Sequence, residues 1–289
     1  RLRGSAVSAG ELLEAWGAQP TPPKRLGIVG GMGPIAGAHF VRKLQGGLES
    51  AVRECAHARA HVSEYEILFS SDPKALRWKE HKQRGLSVSI KAARDILSFL
   101  YGRGLSHACC ASNTFHLLLN LKPPKGLLSI FDACALEIRE KHPNEPVGIL
   151  CTDLSLKFAG ALGYGAVFEQ HGLVWLPPAP EVQAKTMQGI RLVKAGWKDS
   201  ECVQLFVDAV LWYAQQGVRV VALCCTEIPV AVGARELEKL VALLGWHVTV
   251  VDSVECLAGH VVSTVTGRRK HTSVQRAPSA LERRIGRLV

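Results

Sequence analysis

Three short stretches hold residues able to do chemistry. The first is Cys225-Thr226-Glu227-Ile228-Pro229, directly after the apolar run Val218–Cys224. A thiol at a strand end, just ahead of a helix start, sits where its pKa can fall from about 8.5 toward neutrality. As a thiolate it is a base or a nucleophile. A buried structural cysteine fits the position equally well. The polar pair Thr226 and Glu227, placed straight after an apolar strand, tips the reading toward a site, with Cys224 as a neighbour that points into the core. The second stretch, Ala111-Ser112-Asn113-Thr114-Phe115-His116, stands in the same relation to the run His107–Cys110. Both have a small nucleophilic residue, then Thr within two positions, then a helix start. They lie about 113 residues apart, roughly one domain's length. The third is the turn Gly27-Ile28-Val29-Gly30-Gly31-Met32-Gly33-Pro34. A dinucleotide fingerprint needs G-x-G-x-x-G and an acidic residue about 20 residues on, ending the next strand. Here the next expected strand ends at Phe69-Ser70-Ser71-Asp72, far beyond that distance, so a nicotinamide cofactor is not expected. The turn still lets a ligand approach backbone amides.

The elements that must position these turns follow from periodicity. Short apolar runs at Leu26–Val29, Glu66–Phe69, His107–Cys110, Leu127–Ile130, Val147–Cys151, Leu173–Leu176, Val218–Cys224 and Val248–Val251 predict strands. Between them lie amphipathic stretches. Arg84–Leu100 puts Leu86, Ile90, Ala93, Ile96, Leu97 and Leu100 near one face, and Ser200–Gln216 starts at a capping Ser and stops at Gly217. Strand–helix alternation of this kind predicts a doubly wound α/β fold with mainly parallel sheets. In such sheets ligands bind at the carboxyl ends of the strands, where helix N-termini offer free N–H groups to an anion.

Composition narrows the function classes. No apolar stretch approaches the roughly 20 residues needed to span a bilayer. The nine cysteines occur as neighbours or singly, with no C-x-x-C or Cys/His spacing, so neither zinc nor a disulfide framework is expected. They suit free buried thiols in a reducing compartment, hence a cytoplasmic protein. The net charge of +10 invites a nucleic-acid reading, but seven basic residues between Arg268 and Val289 face only Glu282, and no aromatic residue accompanies them. That segment reads as a solvated tail rather than a nucleic-acid arm. Residues Arg1 to Pro23 are Ala/Gly/Pro-rich, with a short helix expected at Glu11–Trp16. A transit-peptide remnant, and so an organelle, is the alternative there.

The three turns together resemble the signature turns of the aspartate/glutamate racemase superfamily, in order and spacing, over roughly Arg25 to Val262. The resemblance implies two similar α/β domains related by a pseudo-two-fold axis, with the active site in the inter-domain cleft. It places residues 1–23 as an N-terminal extension, 24–143 plus 248–266 as the first domain, 144–247 as the second and 267–289 as the basic tail. It implies no cofactor, neither pyridoxal phosphate nor metal, and a homodimer acting on a dicarboxylate or amino-acid substrate. Two residues, one per domain, flank the substrate's α-carbon. One removes the proton and the other delivers one to the opposite face. Both are usually Cys; here they are Cys225 and Ser112. A hydroxyl is much harder to ionise than a thiol. Cys110, inside its strand, is not expected to replace it. By the same resemblance Asn113, Thr114 and Thr226 bind substrate carboxylates, Met32 lines the pocket, and Lys185 and Arg77 supply positive charge, with Gln83 and Arg84 as alternatives to Arg77. Thr152 and Asp252 match further family turns. His116 fits the motif, with a local hydrogen bond as its expected role.

The leading expectation is therefore a cofactor-independent racemase or epimerase of an acidic amino acid, an isomerase. Two other readings stay open. One is a single-thiol decarboxylase or cis–trans isomerase of a dicarboxylic acid on the same scaffold. The other is a non-catalytic paralogue that binds an acidic metabolite.

Overall fold

The computed structural model describes residues 24–30, 34–54, 65–70, 95–120 and 125–266. The two terminal segments, the Glu11–Trp16 helix and most of the expected helix Arg84–Leu100 lie outside them. In the first half, β1 (Lys24–Val29) leads to α1 (Pro34–Glu54), β2 (Tyr65–Ser70), β3 (Leu105–Cys110), α2 (Asn113–Asn120), β4 (Leu127–Leu128) and α3 (Ile130–Lys141). The second half runs β5 (Val147–Leu150), α4 (Asp153–Lys157), α5 (Ala159–Leu162), α6 (Tyr164–Gln170), β6 (Trp175–Leu176), α7 (Pro180–Lys194), α8 (Ser200–Gln215), β7 (Val220–Leu223), α9 (Ile228–Ala231), α10 (Ala234–Leu243), β8 (Thr249–Asp252) and α11 (Ser253–Val265).

Among the described residues the strands form two four-stranded sheets, ordered β2-β1-β3-β4 and β6-β5-β7-β8, with every pairing parallel. The same order thus occurs twice. All eight expected strands are present, with shifted ends. The fourth stops at Leu128, because Ser129 caps α3 by accepting the Asp132 N–H at 3.1 Å. Helix α8 is capped by Asp199 rather than Ser200, its carboxylate accepting the Cys202 N–H at 2.9 Å. Gly217 follows that helix with φ +81°, where L side chains are strained.

The strands are apolar on both faces, as parallel strands covered on both sides must be. Alternation sorts their side chains between two cores. Val147 and Ile149 of β5, Val220 and Ala222 of β7, and Cys224 face a layer shared with the first sheet, where Ile28, Phe131, Ile138, Leu257 and Val261 pack. Leu150, Val221, Leu223 and Cys225 face the opposite way, onto Ile190, Phe206, Val210 and Tyr213 of α7 and α8. The two halves are also interlocked by the chain itself. Strand β8 pairs with β7 in the second sheet, whereas α11, which follows it, packs on α1 and α3. The expected domain boundary before residue 248 therefore separates β8 from its own sheet, because β8 finds its backbone partners on β7.

Candidate active site

In a sheet ordered 2-1-3-4, the direction in which strands are added reverses between the first and third strands. The crevice outside their carboxyl ends is where open α/β sheets bind ligands. Here those pairs are β1/β3 and β5/β7. The described turns leaving them include Ala111-Ser112, Cys151-Thr152 and Cys224-Cys225, so Ser112 and Cys225 fall one at each switch point.

The match extends to single rungs. The Ala111 N–H donates to the Val29 carbonyl at 2.9 Å, and the Cys224 N–H donates to the Leu150 carbonyl at 2.8 Å. Each is the last bond between its two strands among the described residues. Ser112 and Cys225 are the residues that come next, and so occupy equivalent places in the two sheets.

On the first side, Ser112 is 5% exposed and caps α2, its Oγ accepting the Phe115 N–H at 3.4 Å. Asn113 begins a buried chain of hydrogen bonds. The Tyr164 hydroxyl donates to Asn113 Oδ1 at 2.5 Å, Asn113 Nδ2 donates to Ser253 Oγ at 3.5 Å, and Ser253 Oγ donates to the Leu223 carbonyl at 2.7 Å. Leu223 lies two residues before Cys225, so the chain ties the Ser112 turn to the Cys225 strand. Thr114 Oγ1 meets Thr152 Oγ1 at 3.2 Å and Ser155 Oγ at 3.4 Å, a hydroxyl cluster contributed by both halves. Within it Thr152 caps α4.

On the second side, Cys225 is 2% exposed and its Sγ donates to Glu227 Oε2 at 3.1 Å. Thr226 Oγ1 donates to the same oxygen at 3.2 Å, and Lys194 Nζ lies 3.4 Å from Glu227 Oε1.

A family model for Asp/Glu/hydantoin racemases matches residues 29–261, which span all of these turns. The chain belongs to that family. It is accordingly an isomerase of the amino-acid racemase type with the family's two-sheet α/β fold. Solved structures agree on the fold. The aspartate racemase of Picrophilus torridus is 20% identical, with 84% of this chain and 94% of that one covered at a TM-score of 0.64. A protein of Yersinia pestis described as a putative Asp/Glu racemase is 19% identical over 84% and 99%, at 0.67. The glutamate racemase of Francisella tularensis, solved with D-glutamate, is 13% identical over 89% and 86%, at 0.60. A comparison with curated proteins found no match.

Against this family pattern several expectations change. The Cys225 thiol is not lowered toward neutrality. Burial pushes it well above the usual thiol value, and the Glu227 carboxylate pushes it further, against a smaller opposing pull from Lys194. Helix α9, which follows, is only four residues long and offers little to stabilise a thiolate. The side chains of Asn113 and Thr226 are committed to Ser253, Tyr164 and Glu227 rather than left open for a carboxylate. Lys185 is half-exposed and donates to Asp208 of α8 at 2.6 Å. The lysine that meets the cysteine turn is Lys194, at the far end of α7. The His116 ring nitrogens have no hydrogen-bond partner among the described residues, and the ring packs edge-on to Phe131 at 5.0 Å. Burial lowers its pKa to about 4, so the ring is neutral. Cys110 is fully buried and its thiol is pushed up by burial, in keeping with a structural role. Met32, Arg77, Gln83 and Arg84 lie outside the described residues. The spacing Cys225-x-Glu227 was the one signal that could have assigned Glu227 to the thiol. Nothing local marks Lys194, whose place depends on the course of α7.

Among the described residues no group of three His, Cys, Asp or Glu side chains could hold a metal ion, and no helix is long and apolar enough to cross a membrane.

Proposed function

We propose that the chain is a cofactor-independent racemase or epimerase of an acidic amino acid of the aspartate or glutamate type, with Cys225 and Ser112 acting on opposite faces of the α-carbon. One observation carries this: the two residues hold equivalent places, each the first after the last rung at a switch point. The substrate carboxylates fall to the hydroxyls of Thr114 and Thr152, with Asn113 and Thr226 behind them. Met32 lines the pocket, and Arg77 takes the second carboxylate. Lys185 can reach a substrate only by leaving Asp208, so Lys194 is the nearer positive charge to the thiol. The test is incubation of the protein with L- and D-aspartate and L- and D-glutamate in D₂O, with deuterium at the α-carbon read by mass spectrometry. Cys225→Ala should cut the exchange rate by about 10²- to 10⁴-fold, the usual worth of a positioned acid–base group. If no acidic amino acid exchanges, the proposal fails.

A second reading has its own support. Ser112 Oγ is occupied as a helix cap, and among the described residues no acid or base bonds to it. One working thiol suffices for stereospecific protonation after decarboxylation of a malonate-type acid, or for isomerising an unsaturated diacid. Ser112→Cys separates the two. In a racemase the second thiol speeds exchange; in a decarboxylase it scrambles product chirality while CO₂ is still released.

A further inference from the structure

Both faces of the α-carbon need a proton that can be renewed from water, and the two sides of this site are not equally supplied. Cys225 Sγ donates to Glu227 Oε2 at 3.1 Å. The other carboxylate oxygen of Glu227 lies 3.4 Å from Lys194 Nζ, whose side chain is 40% exposed. Three groups thus run in line from a buried thiol to solvent. Glu227 and Lys194 are also the charged groups that act on this thiol among the described residues, one from the turn before α9 and one from α7. Cys224, next in sequence, faces the opposite core. Among the described residues Ser112 has no comparable line: its hydroxyl accepts a helix N–H, and the nearby His116 ring is fully buried, neutral and without a hydrogen-bond partner.

We propose that Glu227 and Lys194 form a proton path between Cys225 and water, so that the Cys225 face of the substrate exchanges its α-proton with solvent faster than the centre inverts. The inference rests on the racemase reading for its substrate, but not for the path itself. The steps balance. The Cys225 S–H proton passes to the Glu227 carboxylate, leaving a thiolate and a neutral acid. The thiolate takes the α-proton, leaving the substrate carbanion and restoring S–H. The Glu227 O–H proton is traded with water beside Lys194. Glu227 then gives its proton up to water, takes the abstracted proton from the S–H, trades that one with water as well, and passes the new proton to the thiolate. The renewed S–H protonates the same face of the carbanion, with retention, and one proton from water restores the starting S–H. Glu227 acts through Cys225 and is a positioning residue for its proton, not a group that touches substrate.

Two measurements on the full chain test this. The first needs no substrate: iodoacetamide labelling of Cys225, followed by peptide mass spectrometry across pH, for the wild type, Glu227→Gln and Lys194→Met. A neighbouring charge moves a pKa by about 1–3 units. Glu227→Gln should therefore lower the labelling midpoint by about one unit or more, and Lys194→Met should raise it. Position 194 is exposed, so that variant tests the path even if Glu227→Gln does not fold. No shift in Lys194→Met, or shifts of the same sign in both variants, would overturn the path. The second compares deuterium in recovered starting enantiomer with inversion, for L- and D-aspartate and L- and D-glutamate in D₂O. For one enantiomer, exchange should exceed inversion by about tenfold or more. Inversion keeping pace with exchange for both enantiomers would overturn one-faced exchange. If no amino acid exchanges at all, the racemase reading falls, while the labelling arm still decides the path.

Discussion

Asp252 is the residue whose replacement should tell most about how the two sheets are joined. It ends β8, caps α11 by accepting the Val254 N–H at 2.8 Å, and lies 3.6 Å from Lys43 of α1. Only 3% of it is exposed. Burial raises its pKa to about 6, and the Lys43 ammonium and the capping N–H groups only partly offset this. With the folded pKa above the unfolded value of about 3.9, the folded state binds the proton more tightly. The stabilisation this gives is complete below about pH 3.9 and is lost as pH rises through about 6. A shift of roughly two units corresponds to about 3 kcal/mol, as an order of magnitude. Asp252→Asn keeps the capping oxygen without the charge, and Asn is as good a cap as Asp. Lys43 keeps a second carboxylate partner in Glu255. The variant should match the wild type near pH 4 and exceed it by up to about 3 kcal/mol near pH 7.5. Urea unfolding followed by tryptophan fluorescence at pH 4, 5, 6 and 7.5 measures this, and comparison at each pH removes titrations common to both proteins. A stability difference that stays flat with pH, or that favours the wild type as pH rises, would refute the assignment of burial as the dominant effect.

Two further substitutions probe the packing behind the site. A Cβ at Gly148 would lie 2.6 Å from the Tyr213 ring, and that ring is pinned because its hydroxyl bonds the Ile149 N–H and the Ile149 and Leu176 carbonyls. Gly148→Ala should cost about 1–3 kcal/mol in a urea titration, as overpacking does. Tyr164→Phe leaves Asn113 Oδ1 buried without its donor, and should cost about 1–3 kcal/mol; it should also slow α-hydrogen exchange more than a stability change alone would, since the Ser112 turn loses its tie to the Cys225 strand.

The fold was legible because parallel strands buried on both faces leave unbroken apolar runs, and Val147–Leu150 and Val220–Leu223 are such runs. The strand ends were less so. Ile130 extends an apolar run yet starts a helix, since Ser129 offers a capping hydroxyl that apolarity does not register. Of the candidate site, the Ser112 and Cys225 turns were readable because each sets a small polar or thiol residue directly after an apolar strand. What escaped was long-range. Whether Lys185 or Lys194 meets the cysteine turn depends on which end of α7 approaches α9, and helical spacing alone does not say. The Cys225 shift runs against expectation for a similar reason. Position at a strand end suggested exposure to a helix terminus, whereas packing of Ile190, Phe206 and Ile228 in the same cluster closes the thiol off from water.

That closure sets what the thiol can do before substrate arrives. Beside the Glu227 carboxylate and out of water, Cys225 rests as S–H, ready as an acid rather than as a base. To remove an α-proton it must first give its own away, and a thiolate 3.1 Å from an ionised carboxylate would place two anions together. The proton therefore has to move onto Glu227 itself, leaving one negative charge shared between the two groups and Lys194 to balance it. An amino-acid substrate brings an ammonium that favours that transfer. A plain dicarboxylate brings only negative charge and holds the thiol protonated. In the reaction we propose, the same three residues act as a base toward an amino acid and as an acid toward a diacid. Turnover that rises with pH marks the first, and turnover that is level through neutrality and falls at high pH marks the second.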